Sequence, residues 1–166
     1  MSDVSVLILM GSDSDAAIMQ AARDLLTELQ IPSEWTVASA HRSPDRVMRL
    51  VRDAPDRGVK VFIVGAGAAA HLAGVVAAHT TLPVIGVPID SSALKGLDAL
   101  LSTVQMPPGV PVATVSIGKP GAVNAAVLAA QILAVADAGV AGRLAAYKEQ
   151  LAEKVEAAAR RLEAPR

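Results

Sequence analysis

Apolar positions along the chain fall into two rhythms that take turns. Short, mostly apolar runs rich in Val and Ile occupy residues 4–10, 34–39, 60–65, 83–88 and 110–117. Runs without strict alternation mark strands covered on both faces. Between them lie longer Ala- and Leu-rich stretches with helical spacing, at residues 13–30, 44–54, 69–79, 96–103 and 124–138. In the first of these, Ile18, Ala22, Leu25, Leu26 and Leu29 share one face. Pro32, Pro44 and Gly58 punctuate the boundaries. A last stretch, residues 140–162, carries Leu144, Tyr147, Leu151, Val155, Ala158 and Leu162 along one stripe.

Repeated alternation of strand and helix predicts an α/β protein, a three-layer doubly wound parallel sheet with helices on both faces. Right-handed crossovers leave few topologies, and a flavodoxin-like strand order suits this size. The chain reads as a single domain over residues 1–166, with a core at about 4–139 and a C-terminal amphipathic helix at about 140–162.

Composition narrows the picture. Lys and Arg number 15 and Asp and Glu 16, so a chain of net charge −1 offers no basic footprint for nucleic acid. The absence of cysteine excludes disulfides, thiol catalysis and thiolate metal sites. Trp35, Phe62 and Tyr147 are the only aromatic residues, too few for a base-stacking platform. A mean hydropathy of +0.44 leaves more apolar surface than one small core hides, which predicts a homo-oligomer. No apolar run reaches membrane-spanning length, and the acidic start Met1-Ser2-Asp3 lacks the positive charge of a signal peptide. The expectation is a cytoplasmic protein with no membrane partner.

In an open α/β sheet, ligands bind beyond the carboxyl ends of the strands. Polar residues gather there. After the first strand comes Gly11-Ser12-Asp13-Ser14-Asp15, with hydroxyls and free amides at a positive helix end. That end suits a phosphate, and its carboxylates suit ribose hydroxyls. Ser and Asp are also the preferred helix caps, but five small polar residues exceed that need. After the second strand, Ser39-Ala40-His41-Arg42-Ser43-Pro44 pairs a bidentate anion binder with a general acid/base. Here the structural reading is Ser43 capping a helix that starts at Pro44. Ser91 and Ser92 follow the fourth strand and Lys119 the fifth, on the same rim. His71 reads as helix cap or ligand contact, and His79 as a surface residue near a helix C-terminus.

The turn after the third strand, Gly65-Ala66-Gly67-Ala68-Ala69-Ala70-His71, lets a ligand approach the backbone. It also outlines a dinucleotide fingerprint, Gly-x-Gly-x-x-Ala with Asp90 about 20 residues further on. A nicotinamide- or flavin-nucleotide module is therefore a rival reading. Other chemistries lack their signatures. There is no Walker A loop and no Gly-x-Ser-x-Gly elbow, and Gly65 stands where a phosphoacceptor Asp would end the third strand.

Six motifs then follow in order: Met-Gly-Ser-Asp-Ser-Asp (10–15), Ser-Ala-His-Arg-Ser-Pro (39–44), Gly-Ala-Gly-Ala-Ala-Ala-His-Leu (65–72), Pro-Val-Ile-Gly-Val-Pro (83–88), Val-Gln-Met-Pro-Pro-Gly-Val-Pro-Val (104–112) and Asn-Ala-Ala-Val-Leu-Ala-Ala-Gln-Ile-Leu (124–133). Together they resemble the N5-carboxyaminoimidazole ribonucleotide mutase family of de novo purine synthesis, over about residues 4–148. Arg42-Ser43-Pro44 looks like the bacterial and plant type; the animal-type carboxylase has Lys-Gly-Pro there. The resemblance implies His41 as acid/base. It implies Ser12, Ser39 and Arg42 on the 5′-phosphate and Asp15 on the ribose. Ser14, Ala40, Gly67, Ala68, His71 and Leu72 would line the substrate and carboxylate pocket. It further implies no metal, no organic cofactor and a homo-octamer. Ala16, Ala68, Ala73 and Ala113 stand where the family more often has Trp, Gly, Pro and Gly. A direct carboxylase using free CO2 is the nearest alternative.

Overall fold

A computed structural model describes residues 4–163. The acidic start at residues 1–3 lies outside the described residues. Five strands, β1 (Val6–Met10), β2 (Ser33–Val37), β3 (Val61–Gly67), β4 (Val84–Ile89) and β5 (Ala113–Thr114), form one all-parallel sheet in the order β2-β1-β3-β4-β5. This is the flavodoxin-like doubly wound order. Six helices connect and cover it: α1 (Ala16–Glu28), α2 (Pro44–Asp53), α3 (Leu72–Ala78), α4 (Leu97–Val104), α5 (Gly118–Ala134) and α6 (Ala138–Glu163).

Side-chain alternation within buried strands divides the core in two. Val6, Ile8 and Met10 face α1 and α5 together with Ile63 and Ile85. Leu7 and Leu9 face the other way, toward Phe62, Val47 of α2 and Val76 of α3. Both layers are buried, which is why these strands read as continuous apolar runs. Gly65 sets the approach of α1 to the sheet: a Cβ there would lie 2.5 Å from Met19 Sδ and 3.1 Å from Ile89 Cδ1.

Of the differences between the element boundaries and the sequence expectations, three have a clear physical cause. α5 begins at Gly118, not 124. Pro120 falls in its first turn, where backbone N–H groups have no helical partner to lose. Gly121 is required because a Cβ would overlap the Ser116 carbonyl. β5 spans two residues rather than eight, since Pro111 precedes it and only Ile85–Ala113 and Gly86–Thr114 pair. α3 starts at Leu72 rather than 69 because β3 runs on through Gly67, and Ala68 and Ala70 then take left-handed φ values of 50° and 44°.

α1 ends in a Schellman motif. Ile31 N–H bonds the Leu26 carbonyl at 2.8 Å and Gln30 N–H the Thr27 carbonyl at 3.0 Å, with Gln30 at φ 53°. Asp137 starts α6 by accepting from the Gly139 and Val140 amides at 2.9 and 3.0 Å. The Val140 bond chiefly holds its carboxyl below the ordinary range. Only the first part of the α6 stripe is covered: Val140 and Leu144 are buried, whereas Val155 is 67% and Leu162 88% exposed. Leu94, Leu97, Leu101 and Val104, on and before α4, form a second uncovered apolar row. Among the described residues, no helix is long and apolar enough to cross a membrane.

Candidate functional site

The chain leaves β1 for β2 on one side and continues from β2 to β3 on the other, so the connections diverge above β1 and β3. Such a switch point leaves a crevice at the carboxyl edge of the sheet. A cavity of about 310 Å³ opens there. This is at the low end of ligand-site volumes, about 300–1,000 Å³.

The first wall follows β1. Ser12 and Asp15 form a capping box around a single 3-10 turn (Asp13–Asp15): Ser14 N–H donates to Ser12 Oγ at 3.3 Å, and Ser12 N–H to Asp15 Oδ2 at 3.1 Å. The segment is thus a cap and a cavity wall at once. Asp15 is 5% exposed, and burial pushes its carboxyl above its ordinary value of 3.8, opposed first by the Ser12 amide. Ser14 Oγ lies 2.9 Å from Ser12 Oγ, so two hydroxyls face one spot.

The second wall follows β2. Arg42 reaches back to β1, donating from Nη2 to the Gly11 carbonyl at 3.0 Å, and its backbone N–H donates to Ser39 Oγ at 3.2 Å. Ser43 stands at the N-cap position of α2 without capping it. Its hydroxyl accepts from Ser39 N–H at 3.0 Å instead, and so closes the loop that presents Ala40 and His41.

The third wall follows β3. Gly67 lies against Ser91, whose hydroxyl a Cβ would displace. His71 occupies the N-cap position of α3 but makes no capping bond. Its Nδ1 lies 2.7 Å from His41 Nε2, with the rings edge to face at 79°. One nitrogen donates and the other accepts, so each ring fixes the other's orientation.

The structure brings Ser12, Ser14, Asp15, Ser39, Ala40, His41, Arg42, Gly67, Ala68, His71 and Leu72 around this one cavity. Gly11, Ala66, Ala70 and Ser91 also line it and were not singled out as site residues. Ser91 was visible on the rim after the fourth strand, but nothing in the sequence shows that it packs against Gly67. Lys119 does not line the cavity, because α5 has already begun there. His79 is an exposed residue whose Nδ1 bonds the Val75 carbonyl at 2.8 Å. The dinucleotide outline does not hold. Gly65 and Gly67 lie inside β3, not in a turn that opens a helix. Among the described residues, no three His, Asp or Glu side chains gather as metal ligands.

Fold and cavity together define a doubly wound α/β protein with a cavity at its switch point, lined by hydroxyls, a guanidinium and a histidine pair. The chain belongs to the AIR carboxylase family, whose model matches residues 5–154. It is 57% identical over 148 residues to a Bacillus subtilis protein described as N5-carboxyaminoimidazole ribonucleotide mutase, covering 89% of this chain and 91% of that one. A Pyrococcus horikoshii protein of the same description is 51% identical over 156 residues, covering 94% and 87%. The crystal structure of Treponema denticola PurE superposes with a TM-score of 0.85 at 30% identity, over 96% of this chain and 98% of that one.

Proposed function

We infer that this chain is an N5-carboxyaminoimidazole ribonucleotide mutase, an isomerase that moves a carboxylate from the exocyclic nitrogen of its substrate to ring carbon 4. The observation that carries the reading is the 57% identity, across about nine tenths of both chains, to a protein of that description. The cavity supplies groups suited to each part of the reaction.

Arg42, Ser12 and Ser39 hold the 5′-phosphate: a guanidinium, two hydroxyls and the amides of a helix start converge beside Gly11. Asp15, fixed by the Ser12 amide, accepts from the ribose hydroxyls. The aminoimidazole then lies toward the histidine pair. His41 protonates the exocyclic nitrogen, the bond from that nitrogen to the carboxylate breaks, and CO2 is released. The electron-rich ring attacks CO2 through carbon 4. The proton displaced from that carbon returns to His41, so the reaction consumes no proton overall. His71 holds the His41 ring and faces the migrating carboxylate with Ser14. Ala40, Gly67, Ala68 and Leu72 make a small apolar wall that keeps CO2 close enough for recapture.

The protein acts as a homo-oligomer in this reading, and the family resemblance makes it an octamer in the cytoplasm. The uncovered apolar rows on α4 and α6 support assembly. The test is His41→Asn. Turnover falls by about 100-fold or more, as for loss of a general acid/base, while nucleotide affinity stays within about threefold. Near-normal turnover in that variant would remove His41 from the chemistry.

A further inference from the structure

The loop from Gly67 to His71 is held in a conformation that its own sequence disfavours. Ala68 and Ala70 both take left-handed φ values, 50° and 44°. Left-handed geometry brings Cβ against the following carbonyl, and alanine has no polar side chain to offset this as Asn or Asp does. Such residues persist only where their surroundings over-determine them. One bond within the loop, Ala70 N–H to the Gly67 carbonyl at 3.0 Å, closes a single turn and does not engage the Ala69 carbonyl. That carbonyl is met from another element: Ser102 Oγ, on α4, donates to it. Ser102 does not itself line the cavity. Among the described residues, it is the side chain that donates a hydrogen bond to this loop's backbone.

We propose that Ser102 is a positioning residue for the reaction: its hydroxyl clamps the Ala69 carbonyl and so holds the left-handed Ala68–Ala70 turn that walls the CO2 pocket and aims His71 at His41. This rests on the mutase reading of the site. α4 also carries the uncovered apolar residues Leu97, Leu101 and Val104. Without the donor, the two alanines relax toward right-handed or extended geometry, the wall opens, and CO2 escapes before recapture.

The test uses the full-length protein with Ser102→Ala and Ser102→Thr, the second keeping the hydroxyl. For Ser102→Ala, kcat falls about tenfold, a barrier change of ~1.4 kcal/mol, while nucleotide affinity stays within about threefold. A larger share of turnovers ends in free aminoimidazole ribonucleotide and CO2 in place of the 4-carboxy product. Amide exchange at residues 68–72 accelerates about fivefold, the factor for one net hydrogen bond. Ser102→Thr restores all three. Unchanged exchange and product partition, or losses that Ser102→Thr does not restore, overturn the proposal. If Ser102→Ala is insoluble, Ser102→Cys replaces it, nearly isosteric but a much weaker donor, with the same expectations. Failure of the wild-type protein to turn over the N5-carboxy substrate defeats the mutase reading, and the exchange measurement still decides whether Ser102 clamps the loop.

Discussion

His41 and Arg42 are neighbours in sequence, and the proposed mechanism gives them different roles. Arg42 bridges the ends of β1 and β2 through Gly11 and Ser39. In the proposed mechanism the same guanidinium holds the 5′-phosphate. Arg42→Ala weakens nucleotide binding about 10- to 100-fold, the range for one charge-assisted contact, and changes kcat less; calorimetric titration with the nucleotide measures this. Asp15 gives a pH signature. Its folded value is raised by burial, so the native state holds a proton that the unfolded state has released. Stability of the ligand-free protein therefore declines as pH rises from about 3.8 through the raised value, and Asp15→Asn flattens that slope in thermal melts across acidic pH. A slope unchanged by the substitution would show that another group dominates.

The residues that line the cavity were largely legible in the sequence because most of them are contiguous. Ser12 to Asp15 and Ser39 to Arg42 are contiguous polar words placed after strands. The His41–His71 contact was not legible, since it joins residues 30 apart and depends on the turn after β3. Ser43 looked like a cap and proved to be a loop closure, a choice between two short hydrogen bonds that no pattern encodes.

Elements tell a similar story with a different failure mode. Periodicity placed five strands and six helices, and the crossover rule with the chain's size gave the order of the sheet. It lost the boundaries where Gly and Pro served packing and not termination: Pro120 sits in a first helical turn, and Gly121 admits the Ser116 carbonyl. Gly121→Ala accordingly displaces α5 against the sheet and lowers stability by more than the roughly 0.5–1 kcal/mol that alanine normally gains over glycine in a helix, with opposite sign. Gln30 makes the opposite case. It closes α1 at φ 53°, a position glycine fills without steric cost. Gln30→Gly raises unfolding free energy by about 1 kcal/mol in denaturant melts, and any loss there would contradict the Schellman assignment.

The whole molecule carries apolar rows that a lone chain leaves in water. The outer part of α6 projects Leu151, Val155 and Leu162, and α4 shows Leu97, Leu101 and Val104. Hydropathy foretold the surplus, but only the fold assigns it to these two helices, because the inner α6 residues Val140 and Leu144 are spent on the chain's own core. Leu151→Asp with Val155→Asp leaves the protomer folded by circular dichroism and reduces assembly mass in sedimentation. A full-size assembly in that variant would show that α6 is not an interface.

The most direct measurement compares substrates on the purified protein. Formation of 4-carboxyaminoimidazole ribonucleotide is followed by ultraviolet absorbance, with freshly made N5-carboxyaminoimidazole ribonucleotide in one sample and aminoimidazole ribonucleotide with low bicarbonate in the other. Rapid product from the first alone is the predicted result for an enzyme that retains its own CO2. Equal or faster product from the second would make the protein a direct carboxylase and contradict the account.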